Sequence, residues 1–95
     1  METIQGKKSF DINLNEFTLR HKNYNRLILD LGTGDGKFAF HYAQTFPNHF
    51  VIGLDSCREN LHEYSRAKLN NLLFIIANAQ SLPYELHGLI SHIHI

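Results

Sequence analysis

The segment from Asp30 to Gly36, here called the glycine loop, has Asp30 and three glycines at alternate positions, with a second carboxylate at Asp35. It follows the apolar run Leu27–Leu31 and precedes a helical pattern. Glycines at a strand-to-helix turn allow a tight bend and a close approach of a ligand to the backbone. The spacing therefore predicts a small-molecule site. Its candidate lining residues are Asp30, Gly32, Thr33, Gly34, Asp35 and Gly36.

Three classes of nucleotide-type ligand compete for such a loop. A dinucleotide fingerprint requires glycine where this chain has Lys37. A P-loop requires glycine in place of Leu31 and a hydroxyl residue in place of Phe38. S-adenosylmethionine (SAM) has no phosphate but carries an ammonium and a sulfonium, which a carboxylate such as Asp30 or Asp35 attracts. The loop therefore favours SAM.

Two further signals follow later apolar runs. Asp55 closes the run Phe50–Leu54, where an acidic side chain can accept hydrogen bonds from ribose hydroxyls. The segment after Leu72–Ile76 offers amides that could meet the edge of an adenine ring. These signals extend the predicted cofactor pocket to Asp55, Ser56, Asn78, Ala79 and Gln80.

Four apolar runs must position these residues: Leu27–Leu31, Phe50–Leu54, Leu72–Ile76 and Leu89–Ile95. The runs are continuously apolar, which is typical of parallel strands buried on both faces. They alternate with helical patterns, so we expect an α/β, Rossmann-like parallel sheet of about four strands. The first run should lie centrally, with the second and third to one side and the fourth to the other. Ligands then bind at the carboxyl ends of the strands.

Local signals predict the helices between these runs. Lys37–Phe46 carries an apolar face and is ended by Pro47. Ser56 and Glu59 match a capping box, which predicts a helix from there to about Leu69. Residues 81–86 are expected to form a loop or a single helical turn.

The first 25 residues differ in pattern from the rest. Gly6 and the lysines after it predict a small hairpin, and the alternation within Phe10–Leu14 predicts a half-buried strand. A short helix should open near Asn15, capped by Asn13 or by Asn15 itself. We therefore divide the chain into an N-terminal hairpin extension (1–25) and the N-terminal half of a SAM-binding domain (26–95).

Composition limits the wider possibilities. The 95 residues include 9 basic and 9 acidic side chains, so net charge indicates no nucleic-acid or membrane partner by itself. The sequence contains no signal peptide and no apolar run near the ~18 residues that span a bilayer. A single cysteine, Cys57, cannot form an internal disulfide, which favours the reducing cytoplasm.

Two other chemistries find little support. His92 and His94 share a strand face near His87, but no cysteine or carboxylate cluster accompanies them, so no metal site is expected. Cys57 lies at a predicted helix start, where a thiolate is favoured, but no base is paired with it.

Several segments together resemble a known family. Leu29–Gly36 resembles the first SAM motif of class I, Rossmann-like methyltransferases. The likeness extends through Phe50–Asp55, Arg58–Leu61 and Asn78–Leu86, and the hairpin at Gly6–Lys8 is similar to that of one subfamily. That subfamily is the aminoglycoside-resistance 16S rRNA (adenine-N1) methyltransferases of the kanamycin–apramycin type.

The resemblance implies roles for individual residues. Asp30 and Gly32 would line the methionine end of SAM, Asp55 would hold the ribose, and Ala79 and Gln80 would flank the adenine. Gln80 stands where the family is expected to have an acidic residue. The resemblance also implies that cations in the first part of the chain could contact phosphates of rRNA in the 30S subunit. A solvated surface is the simpler interpretation of these cations. They are Lys7, Lys8, Arg20, Lys22 and Arg26.

The chain departs from the family at its end. It stops in the fourth predicted strand and contains no tryptophan, whereas the family continues into a Phe-Pro-Trp segment that helps to hold the target base. We therefore expect a truncated methyltransferase, inactive alone, with no catalytic residue of its own. The run Leu89–Ile95 would be left as an apolar edge through which copies could self-associate.

Two alternatives remain open. The glycine loop and the segment Phe46–Gly53 also resemble tRNA (guanine-N7) methyltransferases, although that family usually opens its loop with glutamate rather than Asp30. The other alternative is a non-catalytic SAM-binding remnant.

Overall fold

A single six-stranded sheet and two α-helices form the fold, and the computed structural model describes all residues, 1–95. The strands are β1 (Glu2–Gln5), β2 (Lys8–Asp11), β3 (Arg26–Leu31), β4 (His49–Asp55), β5 (Leu72–Ile76) and β6 (His92–His94). The helices are α1 (Leu14–His21) and α2 (Lys37–Thr45).

The strand order is β2-β1-β5-β4-β3-β6. Strands β3, β4, β5 and β6 are parallel, whereas β1 pairs antiparallel with both β2 and β5. The predicted α/β parallel sheet is confirmed, with β3 between β4 and β6. The carboxyl ends of β3 and β4 are aligned, because Leu31 pairs with Leu54.

Both faces of the sheet are covered by apolar side chains. Leu29 belongs to a core cluster on one face that includes Phe17 of α1. Ile28 belongs to a second cluster on the opposite face, with Ala39 and Ala43 of α2. Burial on both faces explains why the strands are continuously apolar.

Helix α2 ends at Thr45, just before Pro47, as predicted. Within its predicted apolar face only Ala39 and Ala43 are fully buried, because their small side chains let the helix approach the sheet closely. Phe38 and Phe46 remain partly exposed. These two aromatic residues therefore lie on the outer surface of the helix, whereas Phe40 and Tyr42 pack against the core cluster.

The helix predicted from Ser56 to about Leu69 is wrong. The chain forms two short 3-10 turns there, Arg58–Leu61 and Tyr64–Arg66, and the capping box is not formed. The hydrogen bonds of this segment go elsewhere: the Asp55 carboxylate accepts from Cys57 N, and the Ser65 hydroxyl accepts from Gly6 N at 2.8 Å. These side-chain bonds compete with a regular helix.

At the N-terminus the hairpin is confirmed, and α1 is capped by Asn13, whose Oδ1 accepts from Glu16 N at 2.9 Å. The strand predicted across Phe10–Leu14 is wrong in extent, since β2 ends at Asp11 and Leu14 opens α1. The predicted fourth strand is shorter than expected, with three residues in β6.

The hairpin is continuous with the main sheet, because Ile4 of β1 pairs with Phe74 of β5. The division of the chain at residue 25 stays a prediction. The longest helix, α2, has nine residues, and no helix has the length and apolar character needed to cross a bilayer.

Candidate functional site

The glycine loop lies at the carboxyl end of β3, where the chain turns into α2. Gly32 and Gly34 have positive φ angles of 69° and 63°, which L side chains rarely adopt. A Cβ atom placed on either would meet nothing within 4 Å. The loop is fixed from below by Thr33 N, which donates to Leu54 O at 2.9 Å. Two glycines therefore present bare backbone to open space.

The third glycine of the loop has a different role. A Cβ atom on Gly36 would lie 2.5 Å from Cε1 of Phe74, and one on Gly53 of β4 would lie 2.6 Å from the same atom. The Phe74 ring thus fits between these two glycines. Gly36 allows the loop to pack on the sheet. It therefore affects a ligand pocket by setting the shape of the loop.

Asp30 is buried beneath the loop, with 4% of its surface exposed. Its Oδ2 accepts a hydrogen bond from Thr33 Oγ1 at 2.6 Å. Burial raises the pKa of Asp30 above its ordinary value, and the Thr33 hydroxyl and the charge of His94 offset part of that rise. A buried carboxylate of this kind gains from a cationic ligand, because the ligand restores electrostatic stabilisation lost on removal from water.

Asp55 is held by two backbone N–H groups. Its Oδ2 accepts from Gly34 N at 2.9 Å and its Oδ1 accepts from Cys57 N at 2.8 Å. Each carboxylate oxygen can accept a second hydrogen bond, so this side chain is oriented and still has acceptor capacity. Because Asp30 bonds Thr33 and Asp55 bonds Gly34, both carboxylates contact successive residues of one loop.

Asp35 and Ser56 occupy the rim of this region. Asp35 is exposed, and its Oδ1 accepts from Lys37 N at 3.0 Å, which satisfies a free N–H group at the start of α2. Ser56 is exposed beside Asp55.

The segment after β5 reaches the same rim, because Ala77 N donates to Asp55 O at 3.1 Å. Asn78 Oδ1 accepts from Gln80 N at 2.9 Å and so closes a local turn. That turn leaves Ala79 and Gln80 exposed. The structure therefore brings the glycine loop, Asp55 and the segment of residues 77–80 to one end of the sheet.

Sequence reasoning did not assign one residue beside Asp30, His94, to the site. His94 of β6 is the register partner of Asp30, and its ring stacks on Phe38 of α2 with centroids 3.9 Å apart and an interplanar angle of 13°. Parallel register places the two paired side chains on the same sheet face. The alternation of His92 and His94 indicates that both side chains lie on one face of the strand. Their position next to Asp30 could not be predicted, because it depends on the long-range pairing of β6 with β3.

No group of three or more histidine, cysteine or carboxylate side chains is arranged to hold a metal. Cys57 Sγ donates to Glu59 Oε2 at 3.4 Å, and this exposed carboxylate is the one side chain hydrogen-bonded to the thiol. The main cavity, about 820 Å³, lies elsewhere, between α1, the hairpin and residues 65–74.

Comparison with known proteins gives consistent results. The family model described as "NpmA: 16S rRNA (adenine(1408)-N(1))-methyltransferase" matches residues 2–95. A 16S rRNA (adenine(1408)-N(1))-methyltransferase of Escherichia coli is 36% identical over 103 residues, covering 100% of this chain and 47% of the relative. One from Streptoalloteichus hindustanus is 32% identical, covering 87% of this chain and 42% of the relative.

Solved structures share the fold as well. The crystal structure of the antibiotic-resistance methyltransferase Kmr has a TM-score of 0.94 and 32% identity, covering 98% of this chain and 51% of that one. A mutant 16S rRNA (adenine(1408)-N(1))-methyltransferase from Catenulisporales acidiphilia, solved with cosubstrate SAM, has a TM-score of 0.91 and 25% identity. The match covers 98% of this chain and 45% of that one.

The chain thus spans about half the length of the curated relatives it matches. The match runs from the hairpin through β6 and includes the glycine loop, Asp55 and the segment after β5. Of the two methyltransferase families that the sequence resembles, the match is to the 16S rRNA (adenine-N1) family and not to the tRNA (guanine-N7) family. This protein belongs to the family of 16S rRNA (adenine(1408)-N(1))-methyltransferases.

Proposed function

We propose that the glycine loop binds SAM at the carboxyl ends of β3, β4 and β5. One observation carries the proposal: Asp30 and Asp55 are hydrogen-bonded to the adjacent loop residues Thr33 and Gly34. Two acidic side chains beside bare glycine backbone suit a ligand that carries an ammonium, a sulfonium and a ribose. They disfavour a polyphosphate, because like charges repel.

Within this site each end of the cofactor has a proposed partner. Asp30 and Gly32 would face the methionine end, and the spare lone pairs of Asp55 would accept from the ribose hydroxyls. Ala79 and Gln80 would flank the adenine, with the Gln80 amide oxygen accepting from the exocyclic amino group. The remaining proposed lining residues are Thr33, Gly34, Asp35, Gly36, Ser56 and Asn78.

We further propose that the whole protein methylates N1 of an adenine in 16S rRNA, as the relatives' names state for those proteins. Bound SAM supplies an electrophilic methyl group on its sulfonium. Transfer to the lone pair of an adenine N1 requires alignment more than a strong base, so positioning dominates the barrier. None of these 95 residues is assigned to the target base, so we expect the chain alone to bind SAM without methylating RNA.

The RNA partner is proposed to be the 30S subunit, reached in the cytoplasm. Exposed cations that could contact RNA phosphates lie at the hairpin tip and around the start of β3. Arg20 lies in the last turn of α1. The proposed phosphate contacts are Lys7, Lys8, Arg20, Lys22 and Arg26.

Calorimetry with three ligands tests the cofactor proposal. SAM and its demethylated product should bind the chain, whereas ATP, which shares the adenosine part, should bind at least about tenfold more weakly, a difference of roughly 1.4 kcal/mol. Equal binding of ATP and SAM would show that only the nucleoside is recognised. No binding of any adenosine ligand would refute the site.

We also propose that copies of this chain associate through β6. The two outer strands of the sheet differ: β2 carries Lys8 and Asp11, whereas β6 carries only histidines around Ile93, which is 48% exposed. Charged side chains on an outer strand oppose pairing with another sheet. The edge at β6 lacks charged side chains of this kind.

A further inference from the structure

The 820 Å³ cavity lies at the end of the sheet opposite the glycine loop. It opens around Leu72, where β5 begins, whereas Ile76 at the other end of β5 pairs with Asp55. Its walls come from α1, from the hairpin and from the segment of residues 65–70. We call this cavity the α1 groove; it shares no residue with the proposed cofactor site.

Apolar side chains form the body of the α1 groove. Leu72 and Leu73 lie at its base, and Leu69 and Tyr24 contribute to its walls. Leu19, which is 65% exposed, also lines it. Leaving a large apolar side chain in water on a helix is unfavourable, and a ligand lying along the groove would remove part of that surface from water.

The charged side chains that line the α1 groove are all positive. Arg20 and Lys68 line it, and no carboxylate does. Neither cation belongs to either of the ion pairs of the molecule, which join Met1 to Glu85 and Arg58 to Glu2. The polar positions that remain are amides and a hydroxyl, Gln5, Asn23, Asn70 and Ser65. Two unpaired cations beside an apolar surface are complementary to an anion that carries an apolar body.

We propose that the α1 groove binds a small amphipathic anion, in which one carboxylate or phosphate head is joined to an aliphatic or aromatic body. The head would pair with Arg20 and Lys68, and the body would cover Leu19, Leu69 and Leu72. The cavity volume lies within the range of about 300–1,000 Å³ that is usual for small-molecule sites. This site does not depend on the proposed SAM binding, because none of its residues is assigned to SAM; Arg20 is the one residue that it shares with the proposed RNA contacts.

Nuclear magnetic resonance titration of the ¹⁵N-labelled chain tests this proposal. The probes are octanoate, octyl phosphate and octan-1-ol, each below its aggregation concentration. Both anions should cause saturable shifts confined to residues 4–10, 19–24 and 65–74, and the neutral alcohol should bind at least about tenfold more weakly. The stronger of the two anions identifies the preferred head group. An equal response to octan-1-ol would overturn the proposal, as would shifts spread over the whole chain.

Two variants distinguish recognition of the anionic head group from a general effect of removing a surface cation. Arg20→Gln with Lys68→Gln should weaken octanoate binding at least about tenfold, since both head-group partners are lost. Lys22→Gln is the matched control, because Lys22 is a nearby exposed cation that does not line the groove. Equal weakening in the control would reject the assignment. Displacement of octanoate by a short RNA at lower concentration than by octyl phosphate would also reject it, since the groove would then be an RNA contact.

Discussion

The backbone N–H of Gly34 donates to the Asp55 carboxylate at 2.9 Å and so ties the glycine loop to the end of the neighbouring strand. The same carboxylate accepts from Cys57 N. Asp55 therefore shapes the loop and keeps acceptor capacity for a ligand at the same time. These two backbone hydrogen bonds fix its position, which reduces the ordering cost of binding.

Asp55→Ala should abolish detectable SAM binding. The variant removes the proposed acceptor of the ribose hydroxyls and frees Gly34 N, so a loss of at least about 2 kcal/mol in binding free energy is expected. Isothermal titration calorimetry measures it. Asp11→Ala, which removes an exposed carboxylate at the far edge of the sheet, is the control and should leave the affinity unchanged. Unchanged affinity in Asp55→Ala would remove Asp55 from the site.

Gly36→Ala should destabilise the fold by about 3 kcal/mol, because the new Cβ atom would overlap the Phe74 ring at a positive φ angle. Chemical denaturation measures this loss. Gly32→Ala, whose Cβ atom would enter open space, should cost only the strain of its φ angle, about 1–2 kcal/mol. Adding Phe74→Leu should recover part of the loss in Gly36→Ala and none in Gly32→Ala. The opposite pattern would contradict the packing role of Gly36.

The sequence predicts the central part of this fold well because its signals are local. Continuous apolar runs identify β3, β4 and β5, and Pro47 ends α2 where expected. Parallel chain direction then places Asp30 and Asp55 at the same end of the sheet. The proposed site follows from these patterns alone.

Long-range contacts account for what the sequence did not predict. The segment after Asp55 has helical spacing, but Ser65 bonds Gly6 of the hairpin, 59 residues away, and only 3-10 turns form. The fit of Phe74 between Gly36 and Gly53 joins three separate elements. The stacking of His94 on Phe38 likewise depends on the register of β6. Propensity and periodicity carry no information on such pairings.

Asp30→Asn should stabilise the chain at neutral pH while weakening SAM binding. Burial raises the pKa of Asp30 above its ordinary 3.8, so the folded state favours the protonated form. Stability is therefore highest below 3.8 and falls as the pH rises through the folded-state pKa. The neutral amide avoids this loss.

Thermal melts of both proteins from pH 3 to 7 test this. Asp30→Asn should have the higher melting temperature at pH 7, and the difference should shrink as the pH falls towards 3.8. A variant that is less stable at pH 7 would show that the hydrogen bond from Thr33 outweighs the burial of the charge.

Glu85→Gln should destabilise the fold by about 3 kcal/mol at pH 7, the usual loss when a buried ion pair is broken from one side. Glu85 Oε2 lies 3.1 Å from the buried N-terminal ammonium of Met1, so the pair joins the residue before β1 to the 3-10 turn Tyr84–Leu86. Burial alone would raise the pKa of Glu85, but hydrogen bonds from its own backbone N–H and from the ammonium, with the ammonium's charge, lower it below 4.5.

The lowered pKa fixes the pH range of this contribution. Glu85 stabilises the fold above pH 4.5, and the stabilisation is lost as the pH falls through the folded-state pKa. Denaturant titrations at pH 7 and pH 3 should therefore show a smaller difference between the native chain and Glu85→Gln at pH 3. Arg58→Ala breaks an exposed pair with Glu2 and should cost no more than about 1 kcal/mol. Equal losses in the two variants would contradict the burial argument.

Ile93→Lys should convert an associating chain into a monomer. The edge at β6 carries no lysine or carboxylate side chain, so a lysine at its middle position adds the first such charge. That ammonium would have to be desolvated if a second strand paired with β6. Light scattering coupled to size exclusion, at several protein concentrations, measures the mass. Leu19→Lys replaces another exposed leucine remote from β6 and should leave association intact. If the native chain is monomeric throughout, or if Leu19→Lys dissociates it equally, association through β6 is excluded.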